Sequence, residues 1–275
     1  MRVLSINDIS CIGKCSLTIT LPIVSACGVT CDLLPTALLS THTGGFVGYT
    51  FRDLTDDIDD ILAHWRTLGM QYDVIYSGYL GSMRQIDKVR AIKNEFLKDG
   101  GIFVVDPVMG DNGKLYAGFS DEFVAHMRSL CGEADFILPN LTEASFLAQI
   151  PYPPQGQQAD GEALVKALHT FTARPIVTGV EEGEEIAVYY QDGDTIKRYA
   201  TKSTAGFFHG AGDVFASAFV GSLANGKSLE KSIEICADYT TACIERSAVE
   251  VSDMRFGLNF EKEIPTLLKK LFGEF

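Results

Sequence analysis

Short runs that are apolar at nearly every position recur along this chain, each followed by a longer stretch with helical spacing, and this alternation restricts the possible folds more than any other feature. The runs lie at 3–7, 31–34, 74–77, 102–106, 136–139 and 176–178. A strand with one face in water alternates polar and apolar residues, whereas a strand covered on both faces does not. The intervening stretches predict helices over 16–27, 54–68, 84–97, 121–130, 142–150, 161–171, 212–224, 229–245 and 261–271. Strand and helix in alternation predict a mainly parallel sheet with helices on both faces. Residues 186–190 and 195–199 break the rhythm. They flank Gln191-Asp192-Gly193-Asp194, an Asp-Gly step that predicts an antiparallel hairpin at the sheet's edge. The segment 151–158, rich in proline and glutamine, reads as a loop between helices and is too short for a domain linker. No internal repeat is present, and residues 1–275 read as one domain.

Charge narrows the partners. The chain carries 36 acidic against 23 basic residues, a net charge of -13. Such a field repels nucleic-acid backbones and anionic lipid surfaces. A local phosphate site remains possible, because backbone N–H groups and divalent cations hold phosphate without a basic surface. The seven cysteines are irregularly spaced. Cys11 with Cys15, or Cys27 with Cys31, lacks the second Cys/His pair of a zinc knuckle. Reduced thiols, the absence of a leader at the start and the lack of an apolar run of about 18 residues lead to the expectation of a cytoplasmic protein.

Polar residues collect just after the strands, where ligands bind in open α/β sheets. Asp8 and Ser10 follow the first strand, and Thr41-His42-Thr43-Gly44-Gly45 comes after the second. Gly78-Tyr79 follows the third, and Asp106-Pro107 with Gly110-Asp111 the fourth. Asn140 and Glu143 follow the fifth, and Thr178-Gly179 the sixth. The stretch from Gly206 to Asp213 ends in Gly210-Ala211-Gly212-Asp213 at a predicted helix start. Small residues there leave successive N–H groups open to an anion, and the helix dipole adds positive charge. Asp213 sits where a carboxylate could take a proton from an attacking hydroxyl. A glycine-rich turn with an acidic first helical turn is the plain alternative. Asn140 and Glu143, three residues apart, suit either a metal–phosphate site or a helix cap.

Gly221-Ser222-Leu223-Ala224-Asn225-Gly226-Lys227-Ser228 matches the P-loop pattern letter for letter. A P-loop follows a buried strand, whereas the residues ahead of this match have helical spacing. It therefore reads as a joint between two helices, with Ser228 as the N-cap of the second. His42 and His209 fall in candidate ligand loops, and the other three histidines fall on predicted helices.

Together these motifs resemble the ribokinase-like superfamily and, within it, the pyridoxal kinases, in order over essentially the whole chain. The resemblance implies a three-layer αβα sandwich with a mainly parallel central sheet and an antiparallel edge hairpin. It rests on Ser10, Gly13 and Pro22; on His42-Thr43-Gly44; on Gly78-Tyr79; on Asp106 to Asp111; on Asn140 with Glu143; and on Gly210 to Asp213. It implies ATP-dependent phosphorylation of the hydroxymethyl group of a B6 vitamer, with Asp213 as base and Gly210, Ala211 and Gly212 as the anion hole. Ser10, Thr43 and Tyr79 would line the ring site, and Tyr116 would cover it from a flexible stretch over 112–119. ATP would meet Asp106, Asp111, Asn140, Thr178, Gly210 and Gly212. Magnesium would meet Asp106 and Glu143, and a monovalent cation (K+ or Na+) is a further expected cofactor. The family also implies a homodimer. Ala211 departs from the threonine of many relatives, keeping the N–H and losing the hydroxyl. Hydroxymethylpyrimidine kinases are close cousins, and a non-catalytic vitamin-binding protein on the same scaffold is the reading from another class. Few amides and carboxylates surround Ser10 and Thr43, namely Asn7, Asp8 and Asp32, and Asp32 is expected within its strand. That sparsity disfavours a sugar substrate.

Overall fold

The computed structural model describes residues 1–154, 156–206, 208–251 and 253–274. Gln155 and Phe207, which fall in the loop and glycine-rich segments discussed above, lie outside the described residues. In chain order the elements are β1 (Arg2–Ile12), α1 (Leu17–Ala26), β2 (Thr30–Thr41), β3 (Phe51–Asp53), α2 (Ile58–Thr67), β4 (Tyr72–Ser77), α3 (Met83–Phe96) and β5 (Leu97–Val105). Then follow β6 (Gly110–Asp111), β7 (Lys114–Leu115), α4 (Asp121–Cys131), β8 (Phe136–Ile137), α5 (Leu141–Ala148), α6 (Gly161–Leu168), β9 (Ile176–Glu182), β10 (Glu185–Asp192) and β11 (Thr195–Lys202). The chain ends with α7 (Ala211–Ala224), α8 (Leu229–Glu250) and α9 (Ile264–Phe272). These elements form two compact units, residues 1–102 with 204–275 and residues 103–203.

In the first unit β1 pairs in parallel with β2 on one side and β4 on the other, while the short β3 adds antiparallel to β2. Val3, Leu4 and Ile6 are fully buried, as the unbroken apolar run demands. Two consequences of this pairing position the site. Strand β4 leaves β1 after Ile6 pairs with Ser77, so β1 runs on with only β2 beside it. The β1–β2 register also shifts between Asn7 and Ile9, a bulge of the kind that re-aims side chains. Helix α7 packs against α1 and α8. Val214 through Ala224 are all buried, so α7 is covered on every side and carries apolar and small residues throughout. Asp32 lies within β2, ion-paired with Arg2 as its strand position requires.

The P-loop match dissolves here. Gly221 to Ala224 are the last turn of α7, and the Ser228 side chain caps α8 by accepting from the Lys231 N–H.

In the second unit the end of β5 pairs in parallel with β8, Val104 with Phe136 and Val105 with Ile137. The expected hairpin is present as β10 and β11, joined by Gly193-Asp194, and β9 extends it to three antiparallel strands. Residue 178 on β9 also bridges in parallel to Asn140. The stretch expected to be flexible, 112–119, opens on a turn. Asn112 and Gly113, at φ 50° and 73°, make the tight turn of a two-stranded ribbon, β6 with β7. Among the described residues no helix is long and apolar enough to cross a membrane.

Candidate active site

Asp213 lies in the first turn of α7, directly after Gly210, whose φ of 85° is left-handed backbone that favours glycine. A Cβ at Gly210 would also lie 2.7 Å from the Ile19 side chain and 2.8 Å from the Lys14 carbonyl oxygen. The sequence Gly210-Ala211-Gly212 therefore has a steric cause at its first position. Amide N–H groups in a first helical turn have no carbonyl four residues back to bond to, which leaves them for an anion. The Ala211 N–H leans towards the Phe208 carbonyl at 3.4 Å, a long bond.

Burial pushes the Asp213 carboxyl up to about 7, and Asp8 nearby pushes in the same direction. The Ser16 backbone N–H and the Asn7 amide, which favour the charged form, pull the other way. A carboxylate poised near neutrality is well matched to accepting a proton at neutral pH.

Ser16 and Asn7 were not among the expected site residues. Ser16 precedes α1 at φ 52° and ψ −130°, a conformation that costs a residue with a Cβ and persists where the surroundings enforce it. No sequence signal marks it. Asp8 and Ser10, expected after the first strand, lie within it, because β1 continues past the bulge to Ile12 with β2 beside it. Asp8 is almost wholly buried and Ser10 wholly so, with the Ser10 hydroxyl donating to Asp8 Oδ2 at 3.2 Å. Burial raises the Asp8 carboxyl, while hydrogen bonds from Ser16 and Ser10 oppose the rise. Tyr79, just past β4, is partly buried, and its phenol is pushed up to about 12, chiefly by burial and then by Asp8. The structure thus brings Ser10, Tyr79 and Asp213 into one electrostatic neighbourhood with Asp8 at its centre.

Thr43 is exposed on the loop between β2 and β3. Its neighbour His42 is buried and fixes that loop. Its Nδ1 accepts from the Gly44 N–H at 3.1 Å and its Nε2 lies 2.6 Å from the Arg255 carbonyl oxygen, contacts made by the tautomer protonated on Nε2. The His209 ring packs 4.9 Å from it, and a Cβ on Gly44 would run into His209. Burial, then His42, lowers the pKa of His209.

In the second unit the candidates gather at the start of α5. Asn140 and Glu143 form a capping box: Asn140 Oδ1 accepts the Glu143 N–H at 3.0 Å, and Glu143 Oε2 accepts the Asn140 N–H at 2.9 Å. Glu143 Oε1 accepts from the Met109 N–H at 3.1 Å, and Asn140 Nδ2 donates to the Gly110 carbonyl at 3.0 Å. The Thr178 N–H donates to the Pro139 carbonyl at 2.9 Å, which sets that residue beside Asn140. Asp111, Asn140, Glu143 and Thr178 are therefore neighbours. Tyr116 is exposed and follows the β6–β7 ribbon, its N–H donating to the Met109 carbonyl at 2.9 Å.

These carboxylates suit a divalent cation. Burial pushes Glu143 up to about 8 and raises Asp111, and Asp111 raises Glu143 further. Asp106, at the end of β5, is buried as well. A cation would relieve that repulsion, and the two Glu143 oxygens, which accept from the Asn140, Met109 and Gly110 N–H groups, keep one lone pair between them. Among the described residues no three potential ligands cluster around one point. Phosphate and water would then supply most of the coordination, as is usual for magnesium.

Residues 24–258 match the family pattern of phosphomethylpyrimidine kinase, most of the chain. The chain belongs to the phosphomethylpyrimidine kinase family. The similar structures within its range include pyridoxal kinase from Lactobacillus plantarum, 30% identical with a TM-score of 0.89, covering 97% of this chain and 96% of that one. A Bacteroides thetaiotaomicron candidate phosphomethylpyrimidine kinase, solved with pyridoxal, is 35% identical with a TM-score of 0.90, covering 97% and 95%. Bacillus subtilis pyridoxine kinase is 29% identical over 70% of this chain and 71% of its own. The match spans 48% of the length of a Caenorhabditis elegans relative and 64% of a Saccharomyces cerevisiae one, both named as candidate pyridoxal kinases. The expected resemblance and fold class, α/β with a mainly parallel sheet and an antiparallel hairpin, are both borne out.

Proposed function

We propose that this chain transfers the γ-phosphoryl group of ATP to the hydroxymethyl group of pyridoxal or a related B6 vitamer. The observation that carries the proposal is the buried Asp213 carboxylate, held near neutrality at a helix start whose first residues are small. In the reaction the substrate hydroxyl gives its proton to Asp213 as its oxygen bonds to the γ-phosphorus. The bond from that phosphorus to the β–γ bridging oxygen breaks, and ADP leaves. The N–H groups of Gly210, Ala211 and Gly212 face the charge on the phosphoryl oxygens in transit. Bound magnesium would supply charge neutralisation on the phosphates, with Asp106 and Glu143 holding it and Asp111, Asn140 and Thr178 contacting the nucleotide.

Ser10, Thr43 and Tyr79 are assigned to the ring. A planar heteroaromatic ring needs an aromatic or apolar wall and a few fixed polar groups. The pyridoxal bound by the Bacteroides relative supports a pyridine substrate. The side chains of Leu38, Val47 and Phe51, exposed on β2, β3 and the loop between them, are where we place a second copy of the chain.

The family match itself favours a second reading, hydroxymethylpyrimidine or its phosphate as acceptor. ADP release measured with pyridoxal, pyridoxine, pyridoxamine and hydroxymethylpyrimidine separates the two. Turnover confined to the pyrimidine would replace the vitamer reading, and no turnover with any acceptor would refute kinase activity on this class.

A further inference from the structure

Asn7 enters the sequence reading as a strand end and as one of the few amides near Ser10, and its side chain acts on Asp213. It is wholly buried at the bulge in β1. Its Oδ1 accepts two backbone N–H groups, from Asp8 at 3.0 Å and from Tyr79 at 2.7 Å. Two donors at one end of the amide identify that end as the oxygen, so Nδ2 points away from them. Gly78 makes the fit possible, because a Cβ there would collide with the Asn7 amide. Nδ2 is sealed from solvent and lacks a partner at full hydrogen-bond geometry, an expensive state for an interior donor. The acceptor it acts on is the Asp213 carboxylate. A donor without solvent access does not touch a ligand, so Nδ2 acts through Asp213, while Oδ1 acts through the Tyr79 backbone.

We infer that Asn7 is a positioning residue for the base: its amide ties the Asp213 carboxylate to the backbone of Tyr79, so that the base and the aromatic wall of the ring site keep a fixed relation. The charged and titratable groups that face Asp213 are Asp8 on β1 and Cys15 ahead of α1, while α1 begins with the Ser16 N–H and α8, packed along α7, contributes no charge. Asn7 and Ser16 therefore supply the donors that favour its ionised form.

The inference rests on Asp213 as base, and the experiment keeps the two apart. In the full chain, kcat and KM for pyridoxal are measured across the pH range on both sides of neutrality for Asn7→Leu and Asn7→Ser. Both substitutions remove the amide donor without adding a charge beside Asp8 and Asp213. Losing a donor to the charged form raises the pKa of the base, so the acid limb of kcat moves up by about one pH unit. That is about a tenfold loss on the acid side, recovered in alkali, with KM changed less than about threefold. Should Asn7→Leu fail to fold in a thermal melt, Asn7→Ser carries the same expectation. An unmoved acid limb, or a loss equal at every pH, would overturn the inference. Asp213→Asn is run alongside: activity that survives it removes the base itself, whereas a dead Asp213→Asn with an unmoved Asn7 profile overturns only the role given to Asn7.

Discussion

Ser16 turns its backbone N–H towards the Asp213 carboxylate from a left-handed conformation, φ 52° and ψ −130°, at the residue that opens α1. The carboxylate proposed as base is thus stabilised by a backbone group whose position is obtained at the expense of local strain. Replacing Ser16 with Gly should relieve the strain while leaving the N–H in place. Protein stability should rise by up to about 1 kcal/mol, less whatever the loss of the hydroxyl near Asp8 costs. The measurement is chemical denaturation together with steady-state kinetics. Ser16→Gly should keep kcat within about threefold, a small change beside the loss of a transition-state donor. A collapse of kcat would assign the role to the Ser16 hydroxyl rather than to its N–H.

Asp213→Asn should lower kcat by about 10²–10⁴-fold and leave KM nearly unchanged, since the amide keeps the shape of the acid. The wild-type rate should climb through pH 7 as the base ionises. Stability should move in the opposite direction. A carboxyl whose pKa is raised in the folded state binds protons that the unfolded chain releases, so folding loses stability between the ordinary pKa of 3.8 and about 7. Asn carries no such cost, and Asp213→Asn should melt higher than the wild type at pH 8 and show less difference at pH 4. Equal melting temperatures at both pH values would mean that Asp213 is not held near neutrality.

Most of the architecture was legible because its signals are local. Six mainly apolar runs marked five of the longer strands and the two-residue β8, and Asp192-Gly193 marked the β10–β11 turn. The ribbon of β6 and β7 carries an equally plain signal, Asn112-Gly113, but only two residues pair on each side, too few to show periodicity. The three residues of β3 were illegible for the same reason. In the proposed site, Ser10, Tyr79 and Asp213 could be singled out by residue type, as polar or aromatic groups at the margin of an apolar run or at a glycine-rich helix start. Asn7 and Ser16 act through a buried amide and a backbone N–H, and their roles exist only once β1, β4 and α7 are folded together.

Lys227→Ala should leave turnover within about twofold, because Gly221 to Ala224 are helical and Ser228 caps α8. A P-loop lysine pairs with the β- and γ-phosphates, and its removal would damage ATP use severely. A loss of about 100-fold, typical of one removed transition-state donor, would move the nucleotide site to this segment. Ser228→Ala should instead cost about 1 kcal/mol of stability, the usual effect of a lost helix cap, with kinetics unchanged.

The identity of the acceptor turns on Tyr79. Its N–H is fixed by Asn7 Oδ1 and its ring is partly buried, so the backbone holds the phenol in place whether or not substrate is present. A preformed aromatic wall favours a flat ring over a puckered, hydroxyl-rich one, for which the neighbourhood offers few partners: Asn7 is committed to two backbone donors and Asp32 to Arg2. Pyridoxal should therefore be phosphorylated far faster than ribose or fructose. Tyr79→Ala should weaken vitamer binding by about 1–3 kcal/mol, the scale of lost aromatic burial, and raise KM more than it lowers kcat. Tyr79→Phe should keep most of the affinity if the ring rather than the hydroxyl carries it. Titration calorimetry with pyridoxal and parallel kinetics on all three variants decide this. Strong ribokinase activity with none on the vitamers would remove the ring from the account and leave Asp213 and its helix start as a phosphotransfer site for a sugar.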